Sequence, residues 1–131
     1  MKQLDRYLMY MPVAYGLCTS QKEFERELRR IKSKNFPSFL GHFAGASTHF
    51  FDRDDAPGLT GCELLAIVCI RHREDKDPIQ TAALLCHEAV HIFQWCCDQI
   101  GEKNPSAEFE AYSIQSIAQQ LMFAFRDSLP T

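Results

Sequence analysis

Two of the chain's five histidines stand four residues apart in the stretch LLCHEAVHIFQW, residues 84–95, with a glutamate directly after the first. On an α-helix that step is about 40° of rotation and one turn of rise, so His87 and His91 project from one face toward one point. A tetrahedral zinc ion accepts a histidine nitrogen at about 2.0–2.1 Å, so two rings placed in this way supply half of a site. Glu88 lies about 100° round the helix from His87, poorly placed as a ligand but able to reach a water on the metal's open position. This is the mechanical content of H-E-x-x-H, here His87-Glu88-Ala89-Val90-His91. The plain alternative is a pair of hydrogen-bonded histidines on an apolar helix, with a coincidental glutamate between them. Context favours the metal: the pattern lies mid-helix, follows a buried-type strand and precedes a second helix with acids near its start.

Two histidines need one more protein ligand while keeping a position for water or substrate. The second helix begins NPSAEFEAYSIQSIAQQLM and offers Glu108 and Glu110. Its apolar stripe is expected to be Ala111, Ile114, Ala118, Leu121, Met122 and Phe125. Glu108 borders Ala107 and Ala111 on one side of that stripe, and Glu110 borders Ile114 and Ile117 on the other. Spacing does not separate the two, and both also suit a first turn, where the helix dipole favours acids.

HEAVH followed by EFEAY resembles the zincin metallopeptidases, and specifically the gluzincin arrangement. There, two histidines of HExxH and a glutamate on a later helix hold zinc. The local pattern is similar to the E-x-x-A-D or E-x-x-A-N signature of the membrane CAAX/heat-shock-type proteases and of the ImmA/IrrE regulators, and it covers about residues 78–125. In those families the ligand is the glutamate three residues before the alanine, which the resemblance carries onto Glu108. After the alanine they place Asp or Asn, which orients a ligand histidine; this chain has Tyr112. The tyrosine either packs, takes over that hydrogen bond or stabilises an oxyanion. The resemblance implies a minimal zincin-like domain spanning 1–131 that hydrolyses a peptide bond in a peptide or protein substrate. His87, His91 and Glu108 would hold Zn2+, Glu88 would be the general base, and Tyr112 a second catalytic candidate. It also implies that substrate adds as a strand along a sheet edge, here CELLAIVCIRH. A different class of function, a metal-stapled binding or regulatory domain with little turnover, fits the same ligands.

Other residues carry less. Gln94 and Trp95 lie one turn beyond His91 and could line a cleft, although Trp95 is better suited to packing. His49 and His72 could donate to an oxyanion, but lone histidines are usually structural or merely exposed. Cys86 points elsewhere on the helix and reads as core. FDRDDAP lacks the glycine and glutamate of a calcium loop and reads as a solvated turn.

The elements that must position these groups can be read from the rest of the chain. Its 131 residues, 46% hydrophobic and 24% charged, allow one domain with a real core. A net charge of -3 without segregation argues against nucleic acid or an anionic membrane as partner. The longest apolar run, CELLAIVCI, is too short to span a bilayer. Asp5 and Arg6 stand where a signal peptide's apolar core would lie, so the chain reads as intracellular and cytoplasmic. Its six cysteines then read mainly as small core residues, with neither CxxC nor CxxxC spacing among them.

Ser20 and Glu23 form a capping-box pair ahead of Phe24, Leu28 and Ile31 at helical spacing. Pro37, Gly41 and Gly45 end the helical pattern; ASTHFFDRDD then reads as a strand and CELLAIVCIRH as a buried one. Asp77-Pro78 starts a helix that runs to Gly101, and Asn104-Pro105 repeats that signal before a last helix from about Ser106 to about Asp127. The expectation is an α+β fold of N-terminal helix, short sheet, active-site helix and C-terminal ligand helix.

Overall fold

A computed structural model describes Met1, residues 13–60 and residues 64–130. Asp5, Arg6 and Cys62 lie outside the described residues. The order is β1 (Val13–Cys18), α1 (Gln21–Arg30), β2 (Ala46–Asp52), β3 (Leu64–Ile70), α2 (Pro78–Ile100) and α3 (Ala107–Ser128). The class is α+β as expected, with one element more than the sequence pattern reveals, because β1 precedes the first helix. Among the described residues no helix is long and apolar enough to cross a membrane.

The sheet order is β1-β3-β2, with β1 parallel and β2 antiparallel to β3. The strand LLAIVCI is therefore the centre of the sheet and not its edge, which corrects the expected substrate-binding role of that segment. All seven of its residues are buried. Leu64, Ala66, Val68 and Ile70 meet α2 and α3 on one face, while Leu65, Ile67 and Cys69 meet α1 on the other. A strand covered on both faces reads as continuous rather than alternating hydrophobicity, and that is what this one does. Among the described residues the edge lying under α2 is β2.

Caps fix where each helix begins. Ser20 Oγ accepts the Glu23 N–H at 3.1 Å, but the Glu23 side chain reaches back to the Thr19 N–H at 2.8 Å rather than to Ser20. Phe24, Leu28 and Ile31 are buried, as their spacing implies. At α2, Asp77 Oδ1 accepts the Ile79 N–H at 2.8 Å and Gln80 Oε1 accepts the Asp77 N–H at 3.0 Å, with Pro78 in the first turn. The helix ends where Gly101 takes a positive φ of 73° and Glu102 N–H donates to Cys97 O at 2.9 Å, the αL closure that glycine permits. The α3 cap is Ser106, whose Oγ accepts the Phe109 N–H at 3.3 Å; Asn104 is too early, because the helix begins only at Ala107.

The α3 stripe is as expected at Ile114, Ala118, Leu121, Met122 and Phe125, but it extends to Ser113 and Ile117 and leaves out Ala111. Ser113, Ile117, Ala118 and Leu121 are buried, with Ile114, Met122, Ala124 and Phe125 packed beside them, while Ala111 is exposed. The inward face is thus rotated toward Ser113 and Ile117. A buried serine interrupts the hydrophobic pattern and hides that rotation from a count of apolar residues.

Candidate metal centre

His87 and His91 are exposed on the side of α2 that faces away from the sheet, opposite Ala89, Ile92, Phe93 and Cys96. Their Nε2 atoms approach to 3.0 Å, with ring planes at 77°. His91 Nδ1 lies 3.3 Å from Gln94 Oε1, a pairing that suits the tautomer protonated at Nδ1, with the Nε2 lone pair toward His87. Without a cation, one proton shared between the two Nε2 atoms satisfies both. Two nitrogens about 2.0–2.1 Å from one tetrahedral ion would stand about 3.3 Å apart, close to the separation here. The pair therefore fits a metal as two of its ligands.

Glu88, about 100° round the helix from His87, turns to the sheet side. It is 5% exposed, and its Oε2 accepts from Thr48 Oγ1 on β2 at 2.5 Å. Thr48 and Phe50 point at α2, where Phe50 meets Trp95 with ring centroids 4.6 Å apart. Trp95 is therefore a packing residue against the edge strand. Thr48 was missed in the sequence, although strand alternation from Ala46, a core residue on the same face, puts Thr48 and Phe50 toward one layer. Glu88 and His87 also share a hollow of about 620 Å³ with Ala44, Gly45, Ala46, Lys76, Gln80 and Leu84 among its walls. A second hollow, of similar size, runs beside β2 and is bounded by Phe36 and Pro37 of the preceding loop.

The third ligand is not in place. Among the described residues no three His, Cys, Asp or Glu side chains are grouped as a metal would need them. Glu108 and Glu110 are both exposed on the first turn of α3. Glu108 lies about 180° round the helix from buried Ile117. It is exposed, on the side of α3 opposite its buried face. Glu110 lies only about 20° from Ile117; it turns toward Cys97, whose thiol it helps to hold above its ordinary pKa after burial, Glu102 and Asp98. Tyr112 is 68% exposed, so it packs against nothing substantial, contrary to the packing role that the sequence suggested first.

The remaining residues resolve into structural roles. His49 points to the opposite face of the sheet from Glu88, stacks on Phe24 at 4.7 Å and has Nε2 3.1 Å from Phe39 O. His72 Nε2 lies 2.8 Å from Ser128 Oγ and its ring meets Phe125, tying the end of α3 to the loop after β3. Asp52 Oδ1 accepts the Asp55 N–H at 2.8 Å, which makes FDRDD a capped turn. Cys86 is exposed rather than core, while Cys18, Cys69, Cys96 and Cys97 are buried free thiols. Burial pushes Cys18 and Cys96 up to about 12, and Cys69 further.

Comparisons with protein-family models, with curated proteins and with solved structures find no match for this chain.

Proposed function

We propose that this protein is a small zinc-dependent peptidase whose metal is held by His87, His91 and Glu108. The observation that carries the reading is the convergence of two imidazole Nε2 atoms at 3.0 Å, one of them on His87, which shares a hollow with the buried Glu88. A bound zinc ion supplies a Lewis acid for a substrate carbonyl and an acidified water. The chain's own groups do the rest. Glu88 takes a proton from the attacking water and returns it to the leaving amine, the ordinary cycle of a general base turned acid. Thr48 holds the carboxylate, so the base does not have to be oriented anew for each turnover. Gln94 fixes the His91 tautomer that leaves Nε2 free to bind. Among the described residues β2 has no strand beyond it, so it is the edge to which an extended peptide would add, and its Thr48 puts that edge beside Glu88. Glu108 is the third donor in this reading because the resemblance carries the ligand onto it and its side chain is exposed and unburdened by the core; Tyr112, one turn on, is exposed as well. The four buried free thiols suit a reducing, cytoplasmic compartment.

A second reading is favoured by the separation of Glu108 from the histidine pair: a metal-stapled binding domain with little turnover. Zinc titration and peptide hydrolysis separate the two. About one equivalent of zinc is expected, lost in His87→Ala and weakened at least tenfold in Glu108→Gln, as loss of a first ligand implies. Glu88→Gln should keep the metal and abolish cleavage. Retention of all function in Glu88→Gln supports the binding domain; absence of zinc binding removes both readings.

A further inference from the structure

The hollow beside His87 and Glu88 has small or apolar walls in Ala44, Gly45, Ala46, Ala83 and Leu84, with one lysine, Lys76, at its rim. Lys76 precedes the Asp77 cap of α2 and lies across Gly45, just before β2. A Cβ built on Gly45 would meet Lys76 Nζ at 3.1 Å and Leu84 Cδ1 at 3.0 Å. The missing side chain of Gly45 is therefore what lets the ammonium sit against the backbone leading into the edge strand. Lys76 is half-buried, yet among the described residues no carboxylate lies within ion-pairing distance of it. Its neighbour Asp75 is engaged by Arg73 at 2.6 Å. Glu88, the other charged wall, is held by Thr48.

We infer that Lys76 makes this hollow a subsite for an acidic side chain of the peptide substrate, an assignment that rests on the peptidase reading above. At the Lys76 end, away from the Glu88 that Thr48 holds, a half-buried ammonium between Gly45 and Leu84 with no ion-pair partner among the described residues favours a carboxylate over a neutral group and repels a cation. Leu84 contacts the Lys76 end of the hollow and lies one helical turn before Glu88, which puts the ammonium roughly 6–10 Å from the reacting centre. At about 3.3 Å per residue of extended chain, that is two to three residues from the scissile bond. Gln80, on the same wall, can donate its amide to the same carboxylate.

The test uses the full-length zinc-loaded protein and a positional library of fluorogenic octapeptides. Asp or Glu should be preferred at a single position two to three residues from the cleaved bond, by roughly three- to tenfold in kcat/KM over Gln, the range for a partly exposed charge pair. Lys76→Met should level that preference and Lys76→Glu should turn it toward Lys and Arg, with other positions unchanged. Cleavage without an acidic preference, or a preference that survives Lys76→Glu, overturns the subsite and leaves the peptidase standing. Binding of the acid-containing octapeptides to the Glu88→Gln variant, followed by fluorescence anisotropy, gives a readout that needs no turnover. Acid-selective binding lost in Lys76→Met, with no cleavage by the unaltered protein, supports the subsite and removes the peptidase reading. No acid-selective binding overturns the subsite whether or not cleavage occurs.

Discussion

The contact between Thr48 and Glu88 joins the edge strand to α2, and it can be weighed directly. Thr48→Val keeps the volume, the branching at Cβ and the preference for a strand, and removes only the hydroxyl. Glu88 then loses the donor at 2.5 Å while remaining 5% exposed, so water cannot fully replace it. A hydrogen bond to a buried charged group contributes about 1.5–3 kcal/mol, and its loss should appear almost whole. In urea, with a slope of about 2 kcal/mol per M, the midpoint should fall by about 1 M with the slope unchanged. In a Glu88→Gln background the same substitution breaks only a neutral bond, worth about 0.5–1.5 kcal/mol. The double-mutant cycle should therefore give a coupling of about 1 kcal/mol or more. Equal costs in the two backgrounds, or a cost under about 0.5 kcal/mol for Thr48→Val alone, would show that the carboxylate does not depend on the strand. Thr48→Ser, which keeps the hydroxyl, should retain most of the bond.

Two further outcomes concern the core. Cys18, Cys69 and Cys96 hold their protons in the folded chain to about pH 12 or beyond, whereas an unfolded thiol gives its proton up from about pH 9. Because the native state then binds more protons than the unfolded one, stability falls as pH rises between those values. Each thiol removes up to about 1.4 kcal/mol per pH unit, so by pH 10 the three together should remove about 4 kcal/mol. Urea titrations at pH 8 and 10 under reducing conditions would measure this, and a Cys69→Ala variant should lose about a third less. Unchanged stability would contradict the burial of the thiols. The second outcome concerns Gly58, where an added Cβ would stand 2.6 Å from Ile31 C and O while the Gly58 N–H donates to Ile31 O at 2.7 Å. Gly58→Ala should cost about 1–3 kcal/mol, a melting temperature lower by roughly 5–15 °C in calorimetry; an unchanged melting temperature would mean that the loop yields freely.

What the sequence made legible is set by how far apart the cooperating residues are. His87, His91 and Gln94 belong to one helix, so 3.6 residues per turn fixes their mutual placement, and the rings do converge. The caps at Ser20 and Asp77 and the glycine stop at Gly101 are equally local, and each has its hydrogen bonds. The central position of β3 was also legible in principle, since seven consecutive apolar residues suit burial on both faces and an edge strand lying under one helix does not need that. By contrast, β1 hid in an apolar N-terminal run, and its status as a strand rests on pairing with β3 about fifty residues away. Thr48 and Glu88 are forty residues apart, and nothing in either local pattern names the other.

The third ligand is the hardest of these for a physical reason. A site shared by two helices needs the rotational phase of both, and α3 has the blurred one: Ser113 occupies a buried position, Ala111 an exposed one, and Phe109, Tyr112 and Phe123 stand partly in solvent. An error of one residue in such a helix is about 100°, enough to exchange Glu108 and Glu110 between the core side and the outward side. The packed phase puts Glu110 toward Cys97 and leaves Glu108 exposed opposite the buried face. Glu110 shares its side of α3 with the buried Ile117, whereas Glu108 does not. The proposed assignment of Glu108 therefore rests on the resemblance, and the zinc titration of Glu108→Gln against Glu110→Gln decides it: full affinity in Glu108→Gln would overturn that choice.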